Sequence, residues 1–105
     1  MSAPDRATAA TAAPGAQVIH NPSASRFELA VEGHLCVCDY RRRGDVVAFT
    51  HTEVPPELGG RGLAARLVDA ALQWVRAEGL KMQAPCSYVA VYVQRHPQWA
   101  DLLAE

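Results

Sequence analysis

The sequence predicts an α+β fold, in which an antiparallel strand meander leads into a long helix, a fourth strand and one or two short C-terminal helices. Three observations support this class. Apolar residues alternate along short segments between residues 26 and 54. A glycine-rich stretch at residues 59–62 ends that pattern. Apolar residues then recur at helical spacing to about residue 78.

Length and composition indicate one small domain. The chain has 105 residues, of which half are apolar, and its formal net charge is −1. Residues 1–16 are rich in Ala, Thr and Pro and are predicted to form a disordered tail before a domain at 17–105. The balanced charge argues against a nucleic-acid or anionic membrane partner, and no apolar run is long enough to span a bilayer. Three cysteines without a secretory signal predict a cytoplasmic protein.

The meander is predicted from three strands, at 26–31, 35–40 and 46–54, each with alternating or β-branched apolar residues. Glu32-Gly33 and Gly44-Asp45 suit the two-residue turns that join them. The three arginines at 41–43 fit a solvated strand end at the second turn. Pro55-Pro56 ends the third strand.

The helical part begins at Gly62 or Leu63 and ends near Glu78, with Gly79 as a C-terminal cap. The apolar stripe of this helix consists of Ala64, Leu67, Val68, Ala71, Leu72 and Val75. A fourth strand is predicted at 80–83, beside the third. A second helix follows from 85–87 to His96-Pro97, and a short terminal helix carries Trp99, Leu102 and Leu103.

The stretch Gly59-Gly60-Arg61-Gly62-Leu63-Ala64 is the most informative in the chain. A glycine-rich turn at a helix N-terminus presents free backbone N–H groups and the positive end of the helix dipole, which together favour phosphate. No Lys-Ser or Lys-Thr follows, as a Walker A loop needs, and Ala65 stands where a dinucleotide fingerprint has its third glycine. The alternative is a strand-to-helix connection without a ligand.

Cys86 and His51 are the candidate reactive residues. Ser87 suits a helix N-cap, which places Cys86 at a helix start, where a thiolate is stabilised; the alternative is a buried small hydrophobe. His51 lies near the end of the third strand and suits a base near neutral pH. Its alternative is a half-buried, hydrogen-bonded strand histidine. Glu53 shares the face of His51 and is a second possible base.

Two further groups are weaker candidates. His34, Cys36 and Cys38 alternate on one strand face, but they lack the spacing and the fourth ligand of a metal site, so no metal is predicted. Tyr92 and His96 lie one turn apart on the second helix. Either could reach a ligand, although a helix end before Pro97 is also an ordinary place for both.

Taken in order, these motifs resemble a short subfamily of the GNAT acetyltransferases. Val54-Pro55, Gly60-x-Gly62-Leu63-Ala64 and Pro85-Cys86-Ser87-Tyr88 match its motifs, and Gly59 stands at the Gln/Arg position of the acyl-CoA loop. Further matches are Gly33, Tyr40, Thr50–Glu53, Tyr92 and His96-Pro97. The resemblance spans roughly residues 26–104 and implies that Cys86 and His51 form the catalytic pair.

The resemblance implies an acetyl-CoA-dependent N-acyltransferase acting on an unidentified amine, either a small molecule or a protein. Acetyl-CoA would be held by Val54, Tyr92 and the loop residues Gly59, Gly60, Arg61, Gly62, Leu63 and Ala64. Cys86 would either carry the acetyl group or protonate the departing CoA thiolate. The alternatives are a CoA-binding module without catalysis and, third, a thiol-based redox sensor. We expect a monomer.

Overall fold

The structure, a computed structural model, describes residues 17–104. The predicted tail at 1–16 lies outside the described residues. One mixed sheet has the strand order β1-β2-β3-β4-β5, in which the first four strands are antiparallel and β5 is parallel to β4. The strands are β1 (Ile19–Asn21), β2 (Arg26–Val31), β3 (His34–Arg43), β4 (Val46–Glu53) and β5 (Lys81–Gln83). The α-helices are α1 (Leu63–Ala77) and α2 (Ser87–Arg95). This arrangement confirms the predicted α+β class.

The strand β1 was not predicted. It has only three residues and Pro22 follows it at once, so the sequence carries little periodic signal there. Its position depends on tertiary contacts instead. The His20 ring stacks on Phe27 with centroids 4.2 Å apart, and His20 Nε2 lies 2.7 Å from the Tyr40 hydroxyl. β3 also runs further than predicted, to Arg43, because β4 pairs with its full second half.

The helices and one face of the sheet enclose a single apolar core. Buried side chains alternate along β2 and β3 and continue into β4 through Val47 and Phe49. We call the opposite face of the sheet the open face. Its residues are mostly exposed or half-buried, and on β3 and β4 they comprise Val37, Asp39, Arg41, Arg43, Val46, Ala48, His51 and Glu53.

The long helix α1 confirms the predicted amphipathic element. Gly62 precedes it with φ 73°, and Gly79 follows it with φ 71°, a backbone conformation that strains residues with a side chain. The buried residues of α1 are Leu63, Leu67, Val68, Ala71, Leu72 and Val75. The predicted stripe is therefore confirmed except at Ala64, which is only half-buried.

The terminal segment is a 3-10 helix, Pro97–Leu102, that docks Trp99 and Leu102 on the core. The placement of Leu103 in this helix was wrong. Leu103 is exposed and forms a parallel bridge with Met82, because the chain leaves the helix to extend along the edge of β5. In the part of the chain that is described, no helix is both long and apolar enough to span a membrane.

Candidate functional site

The strands β4 and β5 diverge midway along the sheet. Val46–Ala48 of β4 pairs with all three residues of β5, and the next backbone bond runs from Cys86 N–H to the Phe49 carbonyl, at 3.0 Å. Beyond Phe49, residues 50–53 of β4 still adjoin β3 on one edge, but their other edge, on the side of β5, pairs with no strand within residues 17–104. This divergence leaves an opening between the end of β4 and the start of α2, which we call the β4–α2 opening.

The glycine loop lies directly after this end of β4. Pro56–Leu58 forms a 3-10 turn that buries Leu58, and Gly60 and Gly62 have φ values of 81° and 73°. Gly62 caps α1 without any side-chain hydrogen bond to the first turn. The N–H groups of that turn, on Leu63 and its successors, are therefore available for an anion. The Leu63 side chain itself is buried, so only its backbone could contact a ligand.

Arg61 of the loop makes a contact that the sequence did not reveal. Its Nη1 donates to Glu32 Oε2 at 2.6 Å, and its Nη2 donates to Oε1 at 3.3 Å, which is a bidentate pair. Glu32 sits with φ 52° in the turn between β2 and β3. The guanidinium holds the pKa of Glu32 below its usual value. This pair connects the glycine loop to the turn between β2 and β3.

Cys86 lies in the β4–α2 opening, on the side of the core. It is itself the N-cap of α2, which corrects the assignment of that position to Ser87, the first helical residue. The Thr52 hydroxyl lies 3.7 Å from Cys86 Sγ and also donates to Cys38 Sγ at 3.8 Å. Burial raises the pKa of Cys38 to about 11, so Cys38 stays a thiol. Cys86 is half-buried and is the more accessible of the two sulfurs.

His51 is on the other face of β4. Tyr40 pairs with Phe49 whereas Asp39 pairs with His51, so Thr50 is an extra residue and forms a β-bulge. Beyond the bulge, Thr52 faces the core beside its partner Cys38, and His51 faces the open face. His51 Nε2 lies 3.1 Å from Glu53 Oε1. The structure thus brings Cys86 together with Thr52, and His51 together with Glu53, but it does not place Cys86 and His51 in contact.

Tyr92 packs between α1 and α2. Its ring lies between those of Tyr88 and His96, with centroid distances of 6.4 Å and 4.1 Å. Its hydroxyl donates to Asp69 Oδ1 at 3.4 Å. Burial, followed by the neighbouring Asp69 carboxylate, raises the pKa of Tyr92. The hydroxyl is therefore engaged with α1 and not with Cys86.

Comparison with known proteins decides the family. A family model described as GCN5-related N-acetyl-transferase matches residues 26–102, a range that includes the loop, His51 and Cys86. The chain belongs to the GCN5-related N-acetyltransferase family.

The chain is similar in sequence to Protein NATD1 from several vertebrates. The Gallus gallus protein is 37% identical over 84 residues, which cover 77% of this chain and 76% of that protein. The Danio rerio protein is 32% identical over 90 residues, covering 81% and 82% respectively. The match to the Mus musculus protein is 44% identical over 52 residues and spans 47% of that protein's length.

A solved structure shows the same fold. The solution structure of a GCN5-like protein from Staphylococcus aureus superposes with a TM-score of 0.68 at 23% identity, covering 84% of this chain and 87% of that one. This likeness shows the fold.

The structure also shows where the three residues considered for a metal site lie. Cys36 and Cys38 point into the core, and His34 lies half-buried at the start of β3. Among residues 17–104, no three His, Cys, Asp or Glu side chains are grouped so that they could hold a metal ion.

Proposed function

We propose that this chain is an acetyl-CoA-dependent N-acyltransferase whose reaction takes place in the β4–α2 opening. The observation that carries the proposal is the position of Cys86 Sγ, beside Thr52 and at the point where β4 is no longer paired with β5. A thioester that lies along the free edge of β4 would extend towards the N-terminus of α1, which has no side-chain hydrogen bond from its N-cap. Family membership supports the choice of acyl-CoA as the ligand.

The glycine loop supplies the phosphate contacts in this proposal. The N–H groups of Gly62, Leu63 and Ala64 hold the pyrophosphate, since the first turn of α1 has no side-chain cap. Pantetheine lies along residues 50–54, and the N–H of Val54 donates to the thioester carbonyl as its oxygen gains charge. Acetyl-CoA supplies the activated acetyl group.

The two faces of β4 divide the chemistry. The acceptor amine approaches from the open face, where His51, hydrogen-bonded to Glu53, takes its proton. Cys86 acts from the core side in one of two ways. It attacks the carbonyl, so that CoA leaves as a thiol and the amine then displaces the acetyl group from Cys86, or it donates its proton to the departing CoA thiolate.

Intact-protein mass spectrometry with acetyl-CoA, together with calorimetric binding, tests the proposal. We expect acetyl-CoA binding, acetyl transfer to an amine, and loss of transfer in Cys86→Ala. The covalent route predicts a single acetyl adduct on Cys86 in the absence of an amine. Cys36→Ala, which removes a core cysteine outside the opening, is the matched control and should retain both.

Each alternative has its own outcome. Binding without an adduct, but with transfer, selects the route in which Cys86 protonates CoA. Binding without an adduct or transfer to any amine would leave a CoA-binding module. If acetyl-CoA does not bind, the loop is only a structural connection and the proposed function is wrong.

A further inference from the structure

The open face carries a second feature, at the end of the sheet remote from the glycine loop. A depression of about 360 Å³ lies there, lined by Arg41, Arg43, Val46, Ala48 and Gln83. Arg43 pairs with Val46 and Arg41 pairs with Ala48, so the two guanidinium groups stand on one face above a small apolar floor. Gln83 of β5 closes the third side.

Within the part of the chain that the structure describes, the guanidinium groups of these two arginines have no partner. Arg26, Arg42, Arg61 and Arg76 each donate to a carboxylate or a backbone carbonyl. The side chains of Arg41 and Arg43, by contrast, make no ion pair or hydrogen bond with any residue between 17 and 104. Two unpaired guanidinium groups around one concave surface form a fork that suits a carboxylate or a phosphate.

The same face has the opposite charge near the β4–α2 opening. Asp39, His51 and Glu53 stand there, and the Glu53 carboxylate is largely exposed. Asp39 is partly neutralised by Arg26, at 3.2 Å, which leaves Glu53 as the stronger attraction for a cation. A ligand lying along β4 would therefore meet positive charge at Ala48 and negative charge at His51 and Glu53.

The distance between the two ends follows from the strand. His51 lies three positions after Ala48. A strand rises by about 3.3 Å per residue, and less at a bulge, so the two positions are about 7–10 Å apart. An extended molecule with an amine at one end and an anionic group several bonds away matches both the charges and this length.

We propose that the acceptor is an amine that also bears a carboxylate or phosphate, held by Arg41 and Arg43 so that its amine reaches His51 at the β4–α2 opening. This inference rests on the proposed function, because it assigns the acceptor of that same site. In the reaction the acetyl carbon leaves the CoA sulfur and bonds to the amine nitrogen; His51 receives the amine proton, and the CoA thiolate gains a proton.

The test measures calorimetric affinity, in the presence of CoA, for linear amines with a terminal carboxylate. Aminobutanoate, aminohexanoate and aminooctanoate vary the length; aminohexyl phosphate replaces the carboxylate, and aminohexanamide removes the charge. The variants are Arg41→Gln/Arg43→Gln and the matched control Arg42→Gln. Arg42 lies on the same strand but on the other face, where it donates to the Gly44 carbonyl.

We expect aminohexanoate or aminooctanoate to bind better than aminobutanoate and better than the carboxamide. The double variant should weaken that binding by about tenfold or more, as expected when charge-assisted hydrogen bonds are lost, while Arg42→Gln changes it by less than about twofold. Whichever of the carboxylate and phosphate probes binds better identifies the anionic group of the acceptor.

Equal binding of the carboxylate and the carboxamide, equal binding by the double variant and its control, or no binding of any probe would overturn the inference. Its failure is distinguishable from failure of the proposed function. Acetyl-CoA binding and transfer to a neutral amine, with no dependence on the arginines, would remove only the inference. Probe binding that depends on the arginines without any acetyl-CoA binding would remove the transferase, and with it the role of the ligand as acceptor, and would leave only an anion-binding site at Arg41 and Arg43.

Discussion

Thr52 is the residue that links the two cysteines nearest the opening. Its hydroxyl contacts Cys86 Sγ at 3.7 Å and Cys38 Sγ at 3.8 Å. The hydroxyl donates its one proton to the buried Cys38 thiol in this structure, and we expect it to turn to Cys86 when that sulfur becomes a thiolate. In the proposed reaction, Thr52 is therefore a positioning residue for Cys86.

We predict that Thr52→Val slows alkylation of Cys86 by iodoacetamide by about five- to tenfold, the effect of one lost hydrogen bond of ordinary strength. Valine keeps the shape of the side chain, so the fold should be unchanged. Thr52→Ser, which restores the hydroxyl, is the control and should react almost as the wild type does. If the valine variant reacts as fast as the wild type, the contact has no influence on Cys86.

His20 makes the stability of the domain depend on pH. Burial lowers the pKa of His20 below its ordinary value of 6.5, and the nearby Glu78 only partly opposes this. The unfolded chain therefore binds a proton that the folded chain resists. The resulting stability is fully present above about pH 6.5 and is lost as the pH falls below that value.

Urea unfolding between about pH 7 and pH 5 measures this dependence. We expect the free energy of unfolding of the wild type to decline over this range, and that of His20→Phe, which keeps an aromatic ring beside Phe27, to decline less. His34→Gln should decline as steeply as the wild type. If His20→Phe declines just as steeply, other groups are responsible for the dependence.

At the scale of elements, the glycine loop depends on two residues with positive φ. Gly60 and Gly62 have φ values of 81° and 73°, whereas Gly59 has a φ of −61° and an extended backbone. We predict that Gly60→Ala and Gly62→Ala each lower the free energy of unfolding by about 1–2 kcal/mol and weaken acetyl-CoA binding.

Gly59→Ala is the matched control in this loop, because its added methyl group would lie 3.4 Å from the Pro56 carbonyl oxygen, an ordinary contact. Its unfolding and its binding should stay close to those of the wild type. Equal losses in all three variants would mean that the loop tolerates no side chain for some reason other than backbone strain.

The elements also show what the sequence could and could not predict. The spacing of Leu67, Ala71 and Val75 predicted α1 almost to the residue, because helical periodicity is strong over fifteen residues. The bulge at Thr50 has no such signal, since its flanking residues are all compatible with a regular strand. The sequence therefore named His51 and Cys86 as a pair without showing that they face opposite sides of β4. Thr52 and Cys38 were missed as neighbours of Cys86 for the same reason.

At the scale of the whole molecule, a net charge of −1 conceals separated charges. Arg61 of the glycine loop is paired with Glu32, whereas the side chains of Arg41 and Arg43, at the other end of the sheet, have no ion-pair partner among residues 17–104. Composition alone argued against a polyanionic partner, and it says nothing of small anionic ligands. The fold shows that Arg61 is paired with Glu32 and that Arg41 and Arg43 line a cavity.

The pair of Arg61 and Glu32 predicts an unusual gain of affinity on mutation. Glu32→Gln releases the guanidinium and removes a negative charge near the phosphates, so acetyl-CoA should bind about two- to fivefold more tightly at low salt. Glu57→Gln removes the same charge from the 3-10 turn that precedes the glycine loop but leaves Arg61 paired, and it should have a smaller effect. The gain should shrink at high ionic strength, and equal affinities for both variants would exclude release of Arg61 as the cause.

The extra residue in β4 has a consequence for water. Because Thr50 shifts the alternation of the strand, β4 presents the Thr52 hydroxyl to Cys86 on the side of the core and the His51 imidazole to the solvent. In the proposed reaction, a proton taken up by the exposed His51 passes directly to bulk water, whereas the half-buried Cys86 is less accessible to water. A regular strand over the same residues would instead turn His51 towards the core and Thr52 away from Cys86.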